Sequence, residues 1–171
     1  MKKILIGVAL GFILIFAGAY FFLISGAMPV ATKGPPLPLE KWVTSQALHA
    51  AMRGETETQS PYPEDSETFL AGSKIYKQNC AVCHGTPAAK ETAIAKGLFP
   101  KPPQFFKDDE GVTDDPSGEI FWFVKNGVRL TGMPGFTDSL SEKELWQVSL
   151  FLKNTDKLSQ NVKDSLNGSS K

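Results

Sequence analysis

Every regular element that this sequence predicts is a helix, and three observations carry that reading. Apolar residues recur at helical spacing over residues 66–79, 116–128 and 141–154. The first and last of these segments open on residues that cap helices, Ser66 in one and the pair Ser141 and Glu144 in the other. The stretch 4–24 runs for 21 residues without a charge.

That N-terminal stretch comes first. At about 1.5 Å per residue, a helix of its length spans roughly 31 Å, the thickness of a bilayer core. Lys2 and Lys3 precede it, so the positive-inside rule keeps the N-terminus in the cytoplasm and exports the rest. A cleaved signal peptide is the competing reading. Ser25-Gly26-Ala27 offers small residues for cleavage, but the apolar run exceeds the ~7–15 residues of a signal core. A membrane anchor over 1–25 is therefore expected.

Residues 26–65 form a linker region. Pro29, Pro35, Pro36 and Pro38 bias its first part towards a semi-rigid spacer of about 3.1 Å per residue, which lifts the rest of the chain off the membrane surface. Over 39–53, Leu39, Val43, Ala47 and Ala50 follow near-helical spacing with Trp42 beside them, and Gly54 is a stop signal. Residues 55–65 are polar, carry Pro61 and Pro63, and read as a loop.

In 66–79, Ser66 is the expected cap, and Phe69, Gly72 and Tyr76 share one face. A glycine inside a helix costs up to about 1 kcal/mol, and the return expected at Gly72 is close approach of another helix. Directly after this segment stands Cys80-Ala81-Val82-Cys83-His84. It holds the only two cysteines and one of the two histidines. C-x-x-C-H is the spacing of c-type haem attachment. Two thiols three positions apart on a turn each add to a vinyl group on one porphyrin edge, and the adjacent imidazole lies under the iron. Three other readings compete. A dithiol redox pair normally sits in a βαβ setting, and no such pattern is found here. A zinc site needs about four ligands, and His49 is the only spare one. A structural disulfide leaves His84 without a role.

Residues 85–115 show little periodicity. A helical turn or two is expected over 88–96, and Pro100, Pro102 and Pro103 suggest a rigid loop against the haem. In 116–128, Pro116 suits a first turn, Ile120, Phe123 and Val124 form an apolar stripe, and Gly127 lies near the end. In 141–154, Leu145, Val148 and Leu152 line one face, Trp146 and Leu150 widen it, and Lys153 suits the last turn. Residues 155–171 form a polar tail, read as a short helix that frays at Gly168-Ser169-Ser170-Lys171.

The second axial ligand decides whether such a haem is open to small molecules or closed for electron transfer. Met1 is the initiator, Met28 lies in the linker and Met52 in the helix before the domain. Met133 lies in Thr131-Gly132-Met133-Pro134-Gly135-Phe136. Pro134 disfavours the α region for Met133. Gly132 and Gly135 let the backbone pass close to a flat ligand, and Phe136 is placed to pack on the ring. Met133 is the candidate distal ligand. A gap-filling core methionine, an open site, and ligation by His49 are the alternatives, His49 otherwise being a surface or packing histidine. A thioether favours ferrous iron and raises the reduction potential.

Composition narrows the field further. The chain has 171 residues, enough for one domain with appendages, and 18 basic residues balance 18 acidic ones. That balance argues against a nucleic-acid binder.

The motif Cys-x-x-Cys-His-Gly after a helix with Gly72 and Tyr76, the Gly-Met-Pro-Gly-Phe loop and a C-terminal helix with Trp146 resemble the class I (mitochondrial-type) c-type cytochromes, in bacterial membrane-anchored form. The resemblance covers about 66–154 and leaves out the anchor, the segment from Trp42 to His49 and the tail. It implies an all-α domain around one haem c, with the first and last helices crossing near Gly72 and Tyr76 against Trp146. It implies thioether bonds to Cys80 and Cys83, and iron held between His84 and Met133. It also implies a proline carbonyl bonded to the proximal imidazole, with Pro100, Pro102 and Pro103 as candidates.

The function expected is that of a membrane-tethered monohaem electron carrier, not an enzyme, with no small-molecule substrate. It sits in the bacterial cytoplasmic membrane with its haem domain in the periplasm or outside, or else is soluble there after cleavage. Its partners are an electron donor and an acceptor that meet an exposed haem edge through a small interface. Lys96, Lys101, Lys107, Lys125 and Arg129 either ring that edge or simply keep the surface wet. A fixed haem subunit of a larger oxidase or dehydrogenase, a gas sensor or small peroxidase, and a non-haem dithiol protein are the alternatives. A domain this small buries a modest core, so the apo-protein is expected to fold poorly.

Overall fold

The computed structural model describes residues 1–107 and 110–167. All the regular elements among these residues are helices. The chain divides into two compact units, Met1–Trp42 and Val43–Lys171.

The first unit is mostly α1 (Lys2–Ile24). This helix of 23 residues buries no side chain. It is long and apolar enough to cross a membrane, a description that a signal sequence also meets. The Ser25 hydroxyl closes its end by donating to Phe22 O at 2.9 Å. The chain then runs without helix to α2 (Glu40–Ala51), which begins in this unit and ends in the second. The Glu40 carboxylate accepts the Leu37 amide at 2.7 Å and sets the start of α2.

In the second unit, α3 (Ser66–Asn79), α6 (Ser117–Asn126), α7 (Glu142–Lys153) and α8 (Gln160–Asn167) enclose one core. The cap of α3 is Asp65 and not Ser66. Asp65 has extended backbone and its carboxylate accepts the Thr68 amide at 2.8 Å, whereas Ser66 is already the first helical residue. That bond holds the Asp65 carboxyl below its ordinary pKa. The capping box of α7 forms as expected, with Ser141 N–H donating to Glu144 Oε2 at 2.8 Å and the Ser141 hydroxyl oxygen accepting the Glu144 amide.

The helices α3 and α7 meet at Gly72. A Cβ there would strike the carbonyl oxygen of Gln147 and lie 2.6 Å from Phe151 Cβ. Absence of a side chain is what lets the two backbones approach. Tyr76, one turn on, packs its ring 5.5 Å from that of Phe151. Trp146, next to Gln147 on α7, shares this core and stacks on Phe121 of α6 at 4.0 Å. On α6 the buried stripe is Ile120, Phe121 and Val124, while Phe123 is only half-buried. The helix starts one residue after Pro116 and stops at Asn126.

Two segments outside 66–154 join this core. Leu158, Val162 and Leu166 are buried, so the expected polar tail packs one apolar face on α3, and the Ser73 and Ser165 hydroxyls meet at 3.2 Å. The expected fraying at 168–171 lies outside the described residues. Met52, just after α2, is also buried. Lys153 leaves the last turn of α7 to donate to Thr113 O and Asp115 O at 3.1 and 2.8 Å, tying α7 to the loop that enters α6.

Candidate haem site

Cys80 ends α3 and begins α4 (Ala81–His84), a single turn. Cys83 N–H and His84 N–H both donate to Cys80 O, at 3.0 and 2.9 Å. This puts both thiols and the imidazole on one turn. Both cysteines are free and half-buried. Burial, with the neighbouring Cys83 as a smaller cause, pushes the Cys80 thiol up to about 12. A dithiol redox pair needs the opposite shift, because the thiolate is the nucleophile. No group of three His, Cys, Asp or Glu side chains converges among the described residues.

His84 is 9% exposed. Its Nδ1 lies 2.9 Å from Pro103 O. A carbonyl only accepts, so Nδ1 carries the proton and Nε2 keeps its lone pair. Burial holds the imidazole below its ordinary pKa against the opposing pull of this bond, so the ring stays neutral and able to ligate. Phe105 stacks on the ring at 4.3 Å with 4° between planes. Of the three candidate prolines, Pro103 makes the contact.

The next residue, Gln104, is buried. Its Nε2 donates to Cys83 O at 2.8 Å, and its backbone N–H donates to Glu110 Oε2 at 2.6 Å. The Tyr76 hydroxyl donates to Gly85 O at 2.7 Å. Thr92 caps α5 (Ala93–Gly97) by accepting the Ala95 amide, and its hydroxyl donates to Val82 O at 2.6 Å. None of these side-chain roles was read from the sequence. Only Thr92 had a visible signal, a capping residue ahead of a short alanine-rich run.

Met133 is half-buried in the loop after α6. Val128 N–H donates to Met133 O at 3.1 Å, Met133 N–H to Thr131 Oγ1 at 3.1 Å, and Phe136 N–H to Val124 O at 3.0 Å. Gly127 is what lets this loop close. Its φ is +64°, and the backbone of 133–135 lies against it where a Cβ would stand. Leu98 reaches Gly132, and Thr92 joins Val82. Thus the short helix α5 links the motif turn to the methionine loop. Leu130 projects from that loop fully into solvent. His49 is exposed on α2, and Met52 is taken up by the core. Lys96, Lys101, Lys107, Lys125 and Arg129 are all exposed. Lys101 pairs with Glu91 at 3.9 Å, and Lys125 lies 5.5 Å from the Phe121 ring centre.

Two thiols on one turn, a neutral imidazole with a free Nε2 and a thioether loop linked to the same short helix form a donor set that suits haem c. Comparison with known proteins leads to the same group. Residues 67–152 match the family described as cytochrome c oxidase, cbb3-type, subunit III. The quinohemoprotein alcohol dehydrogenase ADH IIB of Pseudomonas putida is 31% identical over 94 residues, which are 54% of this chain and 12% of that protein. The chain thus spans a small part of that relative's length. Family membership implies covalently bound haem c with its iron, and a role in electron transfer. By its helical fold and the match across half its length, the chain belongs to this family of class I c-type cytochromes.

Proposed function

We propose that the chain is a membrane-tethered electron carrier with one haem c, and that it performs no chemistry on a substrate. Cys80 and Cys83 would hold the haem through thioether bonds, and His84 through Nε2 and Met133 through Sδ would hold its iron. Bound haem supplies a site that takes up and releases one electron. The chain's part is to hold two ligands in place, to exclude water from His84 and to leave the iron closed to other molecules. The observation that carries this reading is the His84–Pro103 bond, which fixes a buried neutral imidazole with Nε2 free on the turn that bears both thiols. The single C-x-x-C-H in the sequence supports one haem.

In this reading residues 1–25 are an uncleaved anchor in the bacterial cytoplasmic membrane, 26–65 a spacer, 66–154 the haem domain and 155–171 an appendage to it. The haem domain faces the periplasm or the outside, where it meets a donor and an acceptor protein. The test is the visible spectrum of haem-loaded protein, oxidised and reduced, with and without carbon monoxide. A low-spin spectrum with a sulfur-to-iron band that disappears in Met133→Ala, and no carbon monoxide binding in the wild type, is the expected result. A high-spin spectrum or ready carbon monoxide binding rejects the closed His/Met site.

One finding favours a second reading, in which the chain is a fixed subunit of a larger complex. The matching family is described as an oxidase subunit, and Trp42 and Val43 are exposed on α2. Co-purification in mild detergent separates the two: a free carrier comes away alone and a fixed subunit brings its partners.

A further inference from the structure

We infer that Tyr76, Thr92 and Gln104 are positioning residues for His84, holding the backbone that bears it and setting the electrostatics beside it. The inference rests on the proposed attachment of haem at Cys80, Cys83 and His84.

A single turn of helix cannot hold itself. It fixes several dihedral angles for very few hydrogen bonds, and its last carbonyls have no partner within the helix. Three carbonyls at the end of α4 are instead met by side chains from three separate places. Val82 O accepts from the Thr92 hydroxyl at the start of α5. Cys83 O accepts from Gln104 Nε2 in the loop that also supplies Pro103 O. Gly85 O accepts from the Tyr76 hydroxyl on α3. Gln104 and Tyr76 are 5% and 0% exposed, so water does not replace their bonds at low cost. The Gln104 amide is itself fixed, by Nε2 contact with Pro102 O at 3.2 Å and by the Glu110 carboxylate on its backbone N–H.

These bonds have two effects. The His84 backbone has donors on both sides in sequence, at Cys83 and at Gly85, so the imidazole keeps one orientation. The donors also offset the negative ends of carbonyl dipoles next to the ligand. Removing the Tyr76 or Gln104 donor leaves a carbonyl shielded from water uncompensated, which stabilises the ferric state over the ferrous state, whereas water reaches Val82 O and offsets part of the loss of Thr92.

The test uses Tyr76→Phe, Thr92→Val and Gln104→Met, each of which loses a donor and keeps most of its volume. The haem-loaded proteins are compared by their ferric-to-ferrous ratio against a fixed mediator couple, by ferric g-values and by thermal midpoint. Gln104→Met and Tyr76→Phe are expected to move the ratio towards ferric by about two- to fivefold, Gln104→Met the most, with altered g-values, and Thr92→Val to move it the same way by less. Thr92→Ser keeps the hydroxyl and is expected to keep the wild-type ratio. Variants that lose thermal stability while ratio and g-values stay at wild type overturn the inference, because the bonds are then only structural. If Gln104→Met fails to load haem, the other two variants decide. Wild-type protein without covalent haem overturns the site assignment instead.

Discussion

The turn that bears His84 and the loop that bears Met133 are held by different means. Around His84 the ties are side chains and a carbonyl from several separate elements: Pro103 O on Nδ1, Phe105 on the ring face, and Gln104, Thr92 and Tyr76 on the surrounding carbonyls. Around Met133 they are mostly backbone bonds to one element, the end of α6, five to twelve residues earlier in the chain. His84 is buried, and Met133 is half-buried beside the exposed Leu130. Ties to several separate elements are lost together only when the domain opens, whereas a loop tied to one helix end opens at lower cost. In the proposed site the histidine side is therefore the firmer of the two.

Removing the haem tests the first half of that contrast and should have the largest effect. A Cys80→Ala, Cys83→Ala double variant is expected to lose its cooperative thermal transition, since the core of a domain this small is modest without the haem. A calorimetric transition equal to that of haem-loaded protein would show that the ties stand without it. Gly127→Val aims at the methionine side alone. The glycine combines φ +64° with ψ −170°, a region that side chains rarely enter, and the 133–135 backbone lies against it. A loss of about 2–4 kcal/mol in denaturant unfolding is expected, with the sulfur-to-iron band gone and haem still covalently attached. Survival of that band in the variant would mean that Gly127 does not hold the loop. The smallest effect should come from Asp65→Ala, which weakens the start of α3 far from both ligands. The folded-state pKa of Asp65 lies below its ordinary 3.8, so its contribution is full above that value and fades as pH falls through the folded one. The thermal midpoints of variant and wild type should differ slightly at neutral pH and converge in acid. A difference that persists in acid would point to a cause other than the charged cap.

Local patterns were legible because their physics is local. The C-x-x-C-H spacing, the Ser141–Glu144 box and the 66–79 periodicity depend on residues at most a few turns apart, and each formed where it was read. Gly72 was legible too, since a glycine in mid-helix needs a reason. The errors were of phase. Asp65 displaced Ser66 as cap by one residue, and Phe121 displaced Phe123 in the buried stripe. A helical period does not say which neighbour a wide apolar face will choose.

By itself, the sequence determined that the chain is helical, that an apolar segment precedes one domain, and that two thiols and an imidazole share a turn. Each of these comes from spacing along the chain. Only the tertiary structure decided that Pro103 is the carbonyl on His84, that Gln104, Thr92 and Tyr76 meet the carbonyls around it, and that Leu158, Val162 and Leu166 complete the core. Those partners stand apart in sequence from what they touch, and neither a polar side chain nor a short apolar stripe carries a mark of its partner until folding buries both and each buried polar group must find a bond.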